Sequence, residues 1–117
     1  FGKEPALWSD QLQGQERIRC IVNYLTRMRL TDVEGRLEYS FKDGLDDPMP
    51  EGFKPWFDFE SQAAKSHQIL FGHWAALNGK TISDRIQNVD GGCVWGNQLM
   101  AFRLEDQQMF AVNNPVM

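Results

Sequence analysis

The sequence has little of what several large protein classes require. No apolar run approaches the roughly 18 residues of a membrane span. Acidic residues outnumber basic ones by 16 to 12, and the net charge of −4 provides no broad basic surface for nucleic acid or an anionic membrane. No internal repeat or low-complexity segment is present. We therefore expect neither a membrane nor a nucleic-acid partner.

Cysteine is scarce, and its placement disfavours a zinc finger. Cys20 and Cys93 are the only thiols, and neither belongs to a Cys-x-x-Cys pair. Together with His67 and His73 they supply the residue types of a two-cysteine, two-histidine zinc site, but the closely spaced cysteine pair is missing. The pattern favours two reduced structural cysteines in a cytoplasmic protein.

Residues 42–55 lack any hydrophobic period, and proline, glycine and aspartate punctuate them, which predicts a long surface connection. Asp43, Asp46 and Asp47 do not have the ligand alternation of a calcium loop, nor its closing glutamate. We expect a solvated acidic loop here.

What is present is ordinary globular composition, with 117 residues of which 42% are hydrophobic and 24% charged. This suits one domain or a piece of one. The first residues, Phe-Gly-Lys-Glu-Pro, are neither a signal peptide nor a natural start, which favours a piece cut from a longer protein.

The strongest helical signal runs from residue 18 to 28. Apolar side chains recur there at three- and four-residue spacing and share one helical face, which we expect to pack on a core: Ile18, Ile21, Val22, Leu25 and Met28. A helical turn is also predicted over residues 60–65.

The remaining patterns predict strands. A β-hairpin is expected from residues 30–32 and 36–41 around a turn at 33–35, and a second from 99–104 and 108–112 around a turn at 105–107. Single strands are expected at 69–71 and 86–90, and a glycine-punctuated loop at 91–96 should let the backbone approach a site closely. The order of elements predicts an α+β fold, with an N-terminal helix followed by hairpins and a mostly antiparallel sheet.

His73 is the leading candidate for chemistry. It follows the apolar run 69–71 and Gly72, so it lies just past a strand end, where α/β enzymes place working side chains. Imidazole is a common metal ligand and proton carrier. A lone Gly-His pair is also typical of a hydrogen-bonded structural histidine, and spacing alone favours this structural interpretation over a metal ligand.

Arg27 and Arg29 allow two interpretations. They form a basic helix C-terminus that complements the helix dipole, or a pair of guanidinium groups for phosphate. Arg29 would point near the centre of the apolar stripe if the helix continued, so either the helix ends by about Met28 or Arg29 is directed inward. The aromatic patch at 55–59 is another open case: core packing is favoured over stacking of a nucleobase, because the chain lacks a basic surround.

Four patches, in one order and at similar spacings, resemble the C-terminal portion of the bacterial symmetrical diadenosine tetraphosphatases. The patches span most of the chain: Thr26-Arg27-Met28-Arg29, Lys54-Pro55-Trp56-Phe57, Phe71-Gly72-His73-Trp74-Ala75 and Asp90-Gly91-Gly92-Cys93-Val94-Trp95-Gly96.

The resemblance implies a fold, a reaction and site residues. These enzymes are calcineurin-like metallophosphoesterases, with a β-sandwich flanked by helices, and they split diadenosine tetraphosphate into two ADP. A pair of divalent metals, manganese or cobalt, supplies the attacking hydroxide. His73 matches a ligand of the second metal, while Arg27, Arg29 and Trp74 match positions for which we expect substrate contact.

The motifs that supply most metal ligands in that superfamily, Asp-x-His, Gly-Asp-x-x-Asp-Arg and Gly-Asn-His, are absent from these 117 residues. We therefore expect this chain alone to hold no metal pair and to hydrolyse nothing, with its unpartnered strands exposed or buried in a dimer. Two other functions stay open: a stand-alone nucleotide-binding or regulatory module, and a structural interaction domain.

Overall fold

The computed structural model describes residues 2–59 and 61–115. The chain divides into two compact units, unit 1 (Phe1–Phe59) and unit 2 (Glu60–Met117). Helices and strands are mixed in the chain, which confirms the predicted α+β class. None of the helices in the described part of the chain combines the length and the apolar composition needed to cross a membrane.

Unit 1 contains one long helix and a small antiparallel sheet. The elements are α1 (Gly14–Arg27), β1 (Leu30–Thr31), β2 (Leu37–Glu38) and β3 (Lys54–Pro55), with the sheet order β2-β1-β3. The predicted first hairpin is confirmed, because β1 pairs antiparallel with β2. Its turn is fixed by Asp32, whose Oδ1 accepts the backbone N–H groups of Glu34 at 3.0 Å and Arg36 at 2.9 Å. Residues 42–55 were predicted to form a loop throughout, but the last two of them form the strand β3.

The apolar stripe of α1 does not pack on a core in this chain, so that prediction was wrong. Its four side chains within the helix are exposed, Leu25 by 80%, and Met28, just past the helix, is half-buried. The buried positions of the helix are Cys20 and Asn23 on another side. Polar contacts hold that other side: Asn23 Nδ2 donates to the carbonyl oxygen of Gly2 at 3.0 Å. The N-terminal segment therefore covers the less apolar face, and the described residues leave the stripe open.

Unit 1 buries a compact set of side chains, namely Ala6, Cys20, Leu30, Leu37 and Phe41. Both cysteines of the chain are free, Cys20 buried here and Cys93 half-buried in unit 2. Leu37 and Phe41 lie inside as the alternation predicted, whereas Tyr39 between them stays half-buried. A short 3-10 turn at Trp56–Asp58 follows β3.

Unit 2 contains a short helix and two strand pairs. The elements are α2 (Gln62–Ser66), β4 (Ile69–Phe71), β5 (Ile86–Asn88), β6 (Gln98–Arg103) and β7 (Gln108–Asn113). The second predicted hairpin is confirmed: β6 and β7 pair antiparallel from Gln98 opposite Asn113 to Arg103 opposite Gln108. The predicted helical turn over 60–65 corresponds to α2, although Glu60 lies outside the described residues. The strands β4 and β5 run parallel, which the sequence did not predict.

Candidate functional site

The candidate site lies where the parallel strands β4 and β5 end. Their last pair is Phe71 opposite Asn88, and the Val89 N–H continues the ladder with a hydrogen bond of 2.8 Å to the Phe71 carbonyl oxygen. Because parallel strands end at the same edge, the residues that follow them, His73 and Asp90, are brought to one side of the unit. Both line an open cavity of about 370 Å³.

The two strand exits lie close to each other at Gly72 and Asp90. A Cβ built on Gly72 would lie 4.0 Å from the Cβ of Asp90. The sequence analysis placed His73 just past a strand end, and the structure confirms that position.

His73 has an unusual backbone. Its φ of 71° lies in the left-handed region, which residues other than glycine rarely adopt. The neighbouring Trp74 is fully buried, and the Leu77 N–H donates to the Trp74 carbonyl oxygen at 3.2 Å in the 3-10 turn Ala75–Leu77. The buried indole and this turn anchor the chain, so the left-handed residue before them presents its imidazole at the exposed edge.

Trp74 was predicted to contact substrate. Its side chain is 0% exposed, so the structure favours a packing role in which Trp74 holds the backbone that carries His73.

The glycine-punctuated segment after β5 is held by side chains that cap its backbone. Asn88, which is fully buried, accepts the Asp90 N–H at 2.8 Å, and Asp90 Oδ1 accepts the Gly92 N–H at 3.0 Å. A Cβ on Gly91 would lie only 2.7 Å from the Gln98 carbonyl oxygen. Glycine therefore allows a close backbone approach to β6 at this position, while the expected approach to a bound ligand stays a prediction.

No metal site is complete in the described residues. They contain no group of three histidine, cysteine, aspartate or glutamate side chains placed to hold an ion, whether at His73 or among Cys20, Cys93 and His67. Within residues 2–59 and 61–115, His73 therefore belongs to no cluster of ligands that could hold a metal pair.

Arg27 and Arg29 both lie in unit 1. Arg27 is the last residue of α1, with its guanidinium 4.8 Å from the centre of the Tyr39 ring and its NH1 donating to Asn23 Oδ1 at 3.2 Å. Arg29 follows the helix. The helix ends at Arg27, which agrees with the predicted alternative that it ends by about Met28. Burial lowers the pKa of Arg29, and the charge of Arg27 lowers it further, while Glu38 opposes the shift.

The aromatic patch at 55–59 is a packing feature of unit 1. Trp56 and Phe57 are half-buried and meet edge to face with ring centres 5.4 Å apart, and the Trp56 N–H donates to the Arg29 carbonyl oxygen at 2.9 Å. This geometry supports the core interpretation over a nucleobase platform at this place.

Two residues of the site were not singled out from the sequence. Asp90 and Trp95 line the same cavity as His73. Trp95 lies in the glycine-punctuated loop predicted at 91–96. Asp90 was assigned to the predicted strand 86–90, whereas the structure places it just past the end of β5. The missing information was that β4 and β5 are parallel neighbours.

Comparison with known proteins identifies relatives over nearly the whole chain. A protein named symmetrical bis(5'-nucleosyl)-tetraphosphatase from Marinomonas sp. (strain MWYL1) is 48% identical over 111 residues, which is 95% of this chain and 40% of that protein. Proteins of the same name from Legionella pneumophila (strain Corby) and Cellvibrio japonicus (strain Ueda107) are 46% identical over 96% of the chain and 47% identical over 90%, covering 40% and 38% of their own lengths. No family model matches the chain.

The resemblance predicted from four sequence patches is confirmed by these comparisons. The chain spans about two fifths of the length of the curated relatives that it matches. It is therefore similar to part of the symmetrical bis(5'-nucleosyl)-tetraphosphatases.

Proposed function

We propose that this chain is the C-terminal part of a cytoplasmic hydrolase that splits diadenosine tetraphosphate symmetrically into two ADP. The observation that carries the proposal is the 40–48% identity to proteins named for this activity over nearly the whole chain. The two free thiols fit a reducing compartment.

The longer protein, and not this chain alone, is the proposed catalyst. His73 is offered at an exposed strand edge as one ligand of the divalent metal pair that the resemblance implies, manganese or cobalt. The other ligands must come from outside residues 2–59 and 61–115, which include no cluster that could complete such a site. We propose no turnover by the isolated chain for the same reason.

Arg27 and Arg29 are proposed to bind the polyphosphate. The pKa of Arg29 is lowered first by burial and then by the charge of Arg27, and a bound anion would stabilise the charged form against both effects. The Tyr39 ring and Asn23 already orient Arg27, so its guanidinium group is positioned before substrate binds.

The first experiment identifies the reaction. The longer protein is incubated with diadenosine tetraphosphate and a divalent metal, and the products are separated by anion-exchange chromatography. Two ADP per substrate are expected. Formation of ATP and AMP would contradict symmetrical cleavage, and no turnover under any metal would contradict the hydrolase proposal.

The second experiment tests His73. His73→Asn removes the imidazole but suits the left-handed backbone, since asparagine tolerates positive φ better than most residues. We expect turnover and bound metal to fall while the melting temperature is kept. His67→Asn is the matched control, because His67 is exposed and its Nδ1 pairs with the neighbouring Ser66 hydroxyl at 2.9 Å. Equal activity of the two variants would remove His73 from the site.

The third experiment distinguishes phosphate binding by the two arginines from a role in complementing the helix dipole. Arg29→Lys and Arg27→Lys keep a charge near the helix end but lose the two-pronged donor geometry. We expect KM for diadenosine tetraphosphate to rise roughly tenfold, the scale of one charged hydrogen bond. Unchanged kinetics in both variants would leave only the dipole role.

A further inference from the structure

Trp95 is an exposed aromatic residue on a rigid turn. Its side chain is 76% exposed, and it ends the 3-10 turn Cys93–Trp95 between Gly92 (φ 75°) and Gly96 (φ 92°). Large aromatic side chains are usually buried in folded proteins, so an indole held open to solvent needs an explanation.

The exposure does not come from a loose loop. The Gly92 carbonyl oxygen accepts the N–H groups of Trp95 at 2.9 Å and Asn97 at 3.0 Å, and Asn114 Nδ2 donates to the Cys93 carbonyl oxygen at 2.8 Å. The backbone that carries the indole is thus fixed from both sides. A flat apolar face is presented without an entropic cost at the moment of binding.

The cavity beside Trp95 has a distinct chemistry. It runs along residues 89–95 and 98–100 and reaches His73, and the described residues that line it include the carboxylate of Asp90 but neither lysine nor arginine. Its described side chains offer a polyphosphate chain a negative charge and no cation of their own. A neutral, planar and largely apolar group suits the walls better, and about 370 Å³ is within the usual range of small-molecule sites.

We propose that this cavity binds one nucleobase of the substrate, with the base stacked on the indole of Trp95. The inference rests on the proposed function, since it names the part of a dinucleoside polyphosphate that this surface takes. The base lies over Trp95, and the phosphate chain leaves the cavity on the side of His73. Stacking on an aromatic side chain tolerates every base, so this subsite supplies affinity and does not select one nucleobase.

The test is equilibrium binding of ADP and of pyrophosphate to the longer protein, measured by calorimetry without turnover. The two ligands share a diphosphate and differ by adenosine. For Trp95→Ala we expect ADP to bind roughly 10- to 100-fold more weakly, as loss of one stacked base predicts, and pyrophosphate to bind as it does to the unaltered protein. Trp95→Phe keeps an aromatic face and should recover most of the ADP affinity.

Trp8→Ala is the control, because Trp8 is a partly exposed indole of unit 1 that already packs against the Arg17 guanidinium, 4.8 Å from its ring. It should leave both affinities unchanged. The inference is overturned if Trp95→Ala binds ADP normally, if it weakens ADP and pyrophosphate equally while lowering the melting temperature, or if the unaltered protein binds no ADP. Failure of the proposed function appears separately, as an absence of diadenosine tetraphosphate cleavage.

Discussion

The hydroxyl of Tyr24 donates a hydrogen bond of 2.6 Å to the carbonyl oxygen of Gly35 and accepts one of 3.2 Å from the backbone N–H of Trp8. One side chain of α1 therefore joins the β1–β2 turn to the N-terminal segment. Tyr24→Phe removes both bonds and leaves two half-buried backbone groups unpaired. We expect the free energy of unfolding to fall by about 1–2 kcal/mol in urea denaturation.

Tyr39→Phe is the matched control for that change. The Tyr39 hydroxyl donates an exposed hydrogen bond of 3.0 Å to the Lys3 carbonyl oxygen, which water can replace, and it also interacts with the Asn23 side chain. Tyr39→Phe should therefore lower the free energy of unfolding much less than Tyr24→Phe does. Equal losses for the two variants would show that the Tyr24 bridge contributes nothing specific.

The same phenol predicts a dependence of stability on pH. Burial raises the pKa of Tyr24 above its ordinary value, so the folded state keeps the phenolic proton at pH values where the unfolded chain releases it. The stabilisation is fully present below the unfolded pKa of about 10 and is lost as the pH rises towards the folded pKa. The free energy of unfolding, measured by denaturation at each pH across this range, should decline less steeply for Tyr24→Phe than for the unaltered protein. Parallel declines would contradict a raised pKa of Tyr24.

Gly91 should be less replaceable than Gly72, although both line the strand exits. A Cβ on Gly91 would meet the Gln98 carbonyl oxygen at 2.7 Å and Met100 Cγ at 2.9 Å, whereas the nearest atom to a Cβ on Gly72 is at 4.0 Å. Gly91→Ala must push β6 aside, and we expect a loss of about 1–3 kcal/mol. Gly72→Ala should stay within about 0.5 kcal/mol in the same thermal unfolding measurement. A neutral Gly91→Ala would mean that β6 shifts freely.

The exposed stripe of α1 leads to a comparison between two exposed residues. Leu25 (80% exposed) belongs to a contiguous apolar stripe, while Val33 (83% exposed) stands alone in a turn. Scattered exposed apolar residues are normal, but a contiguous stripe marks a contact surface. The chain spans about two fifths of its relatives' length, and in the longer protein proposed above we expect the stripe to be covered. Leu25→Ser should then lower the melting temperature there, and Val33→Ser should not.

Equal behaviour of these two variants in the longer protein would contradict the covered stripe. In that case self-association of the chain is the remaining arrangement that would hide the stripe from water. Sedimentation of the chain with and without Leu25→Ser would measure this self-association.

The sequence predicted those features that depend on neighbouring residues. The turn at Asp32, the alternation of Leu37 and Phe41, and the hairpin of β6 and β7 are local patterns, and the structure has all of them. The end of α1 at Arg27 agrees with one of the two predicted alternatives, in which the helix ends by about Met28 before Arg29 would enter the apolar stripe.

The sequence failed where a partner lies far along the chain. An amphipathic pattern shows that a helix has an apolar face but not whether this stretch of chain contains its cover, so the exposed Leu25 could not be foreseen. The short runs 69–71 and 86–90 carry no signal of being parallel neighbours. Without that pairing, Asp90 and Trp95 could not be grouped with His73.

The two strand pairs of unit 2 also set an order of events during folding. The hairpin of β6 and β7 joins strands linked by a tight turn, whereas β4 reaches its parallel partner β5 only after the intervening connection has closed. Local hairpins form faster than parallel pairs. We therefore expect pulse-labelled hydrogen exchange to protect the hairpin amides before the Val89 amide, which bonds Phe71 at the strand exits. The edge that carries His73 would then be the last part of the unit to assemble, and a nascent chain would bind no nucleotide until that closure is complete.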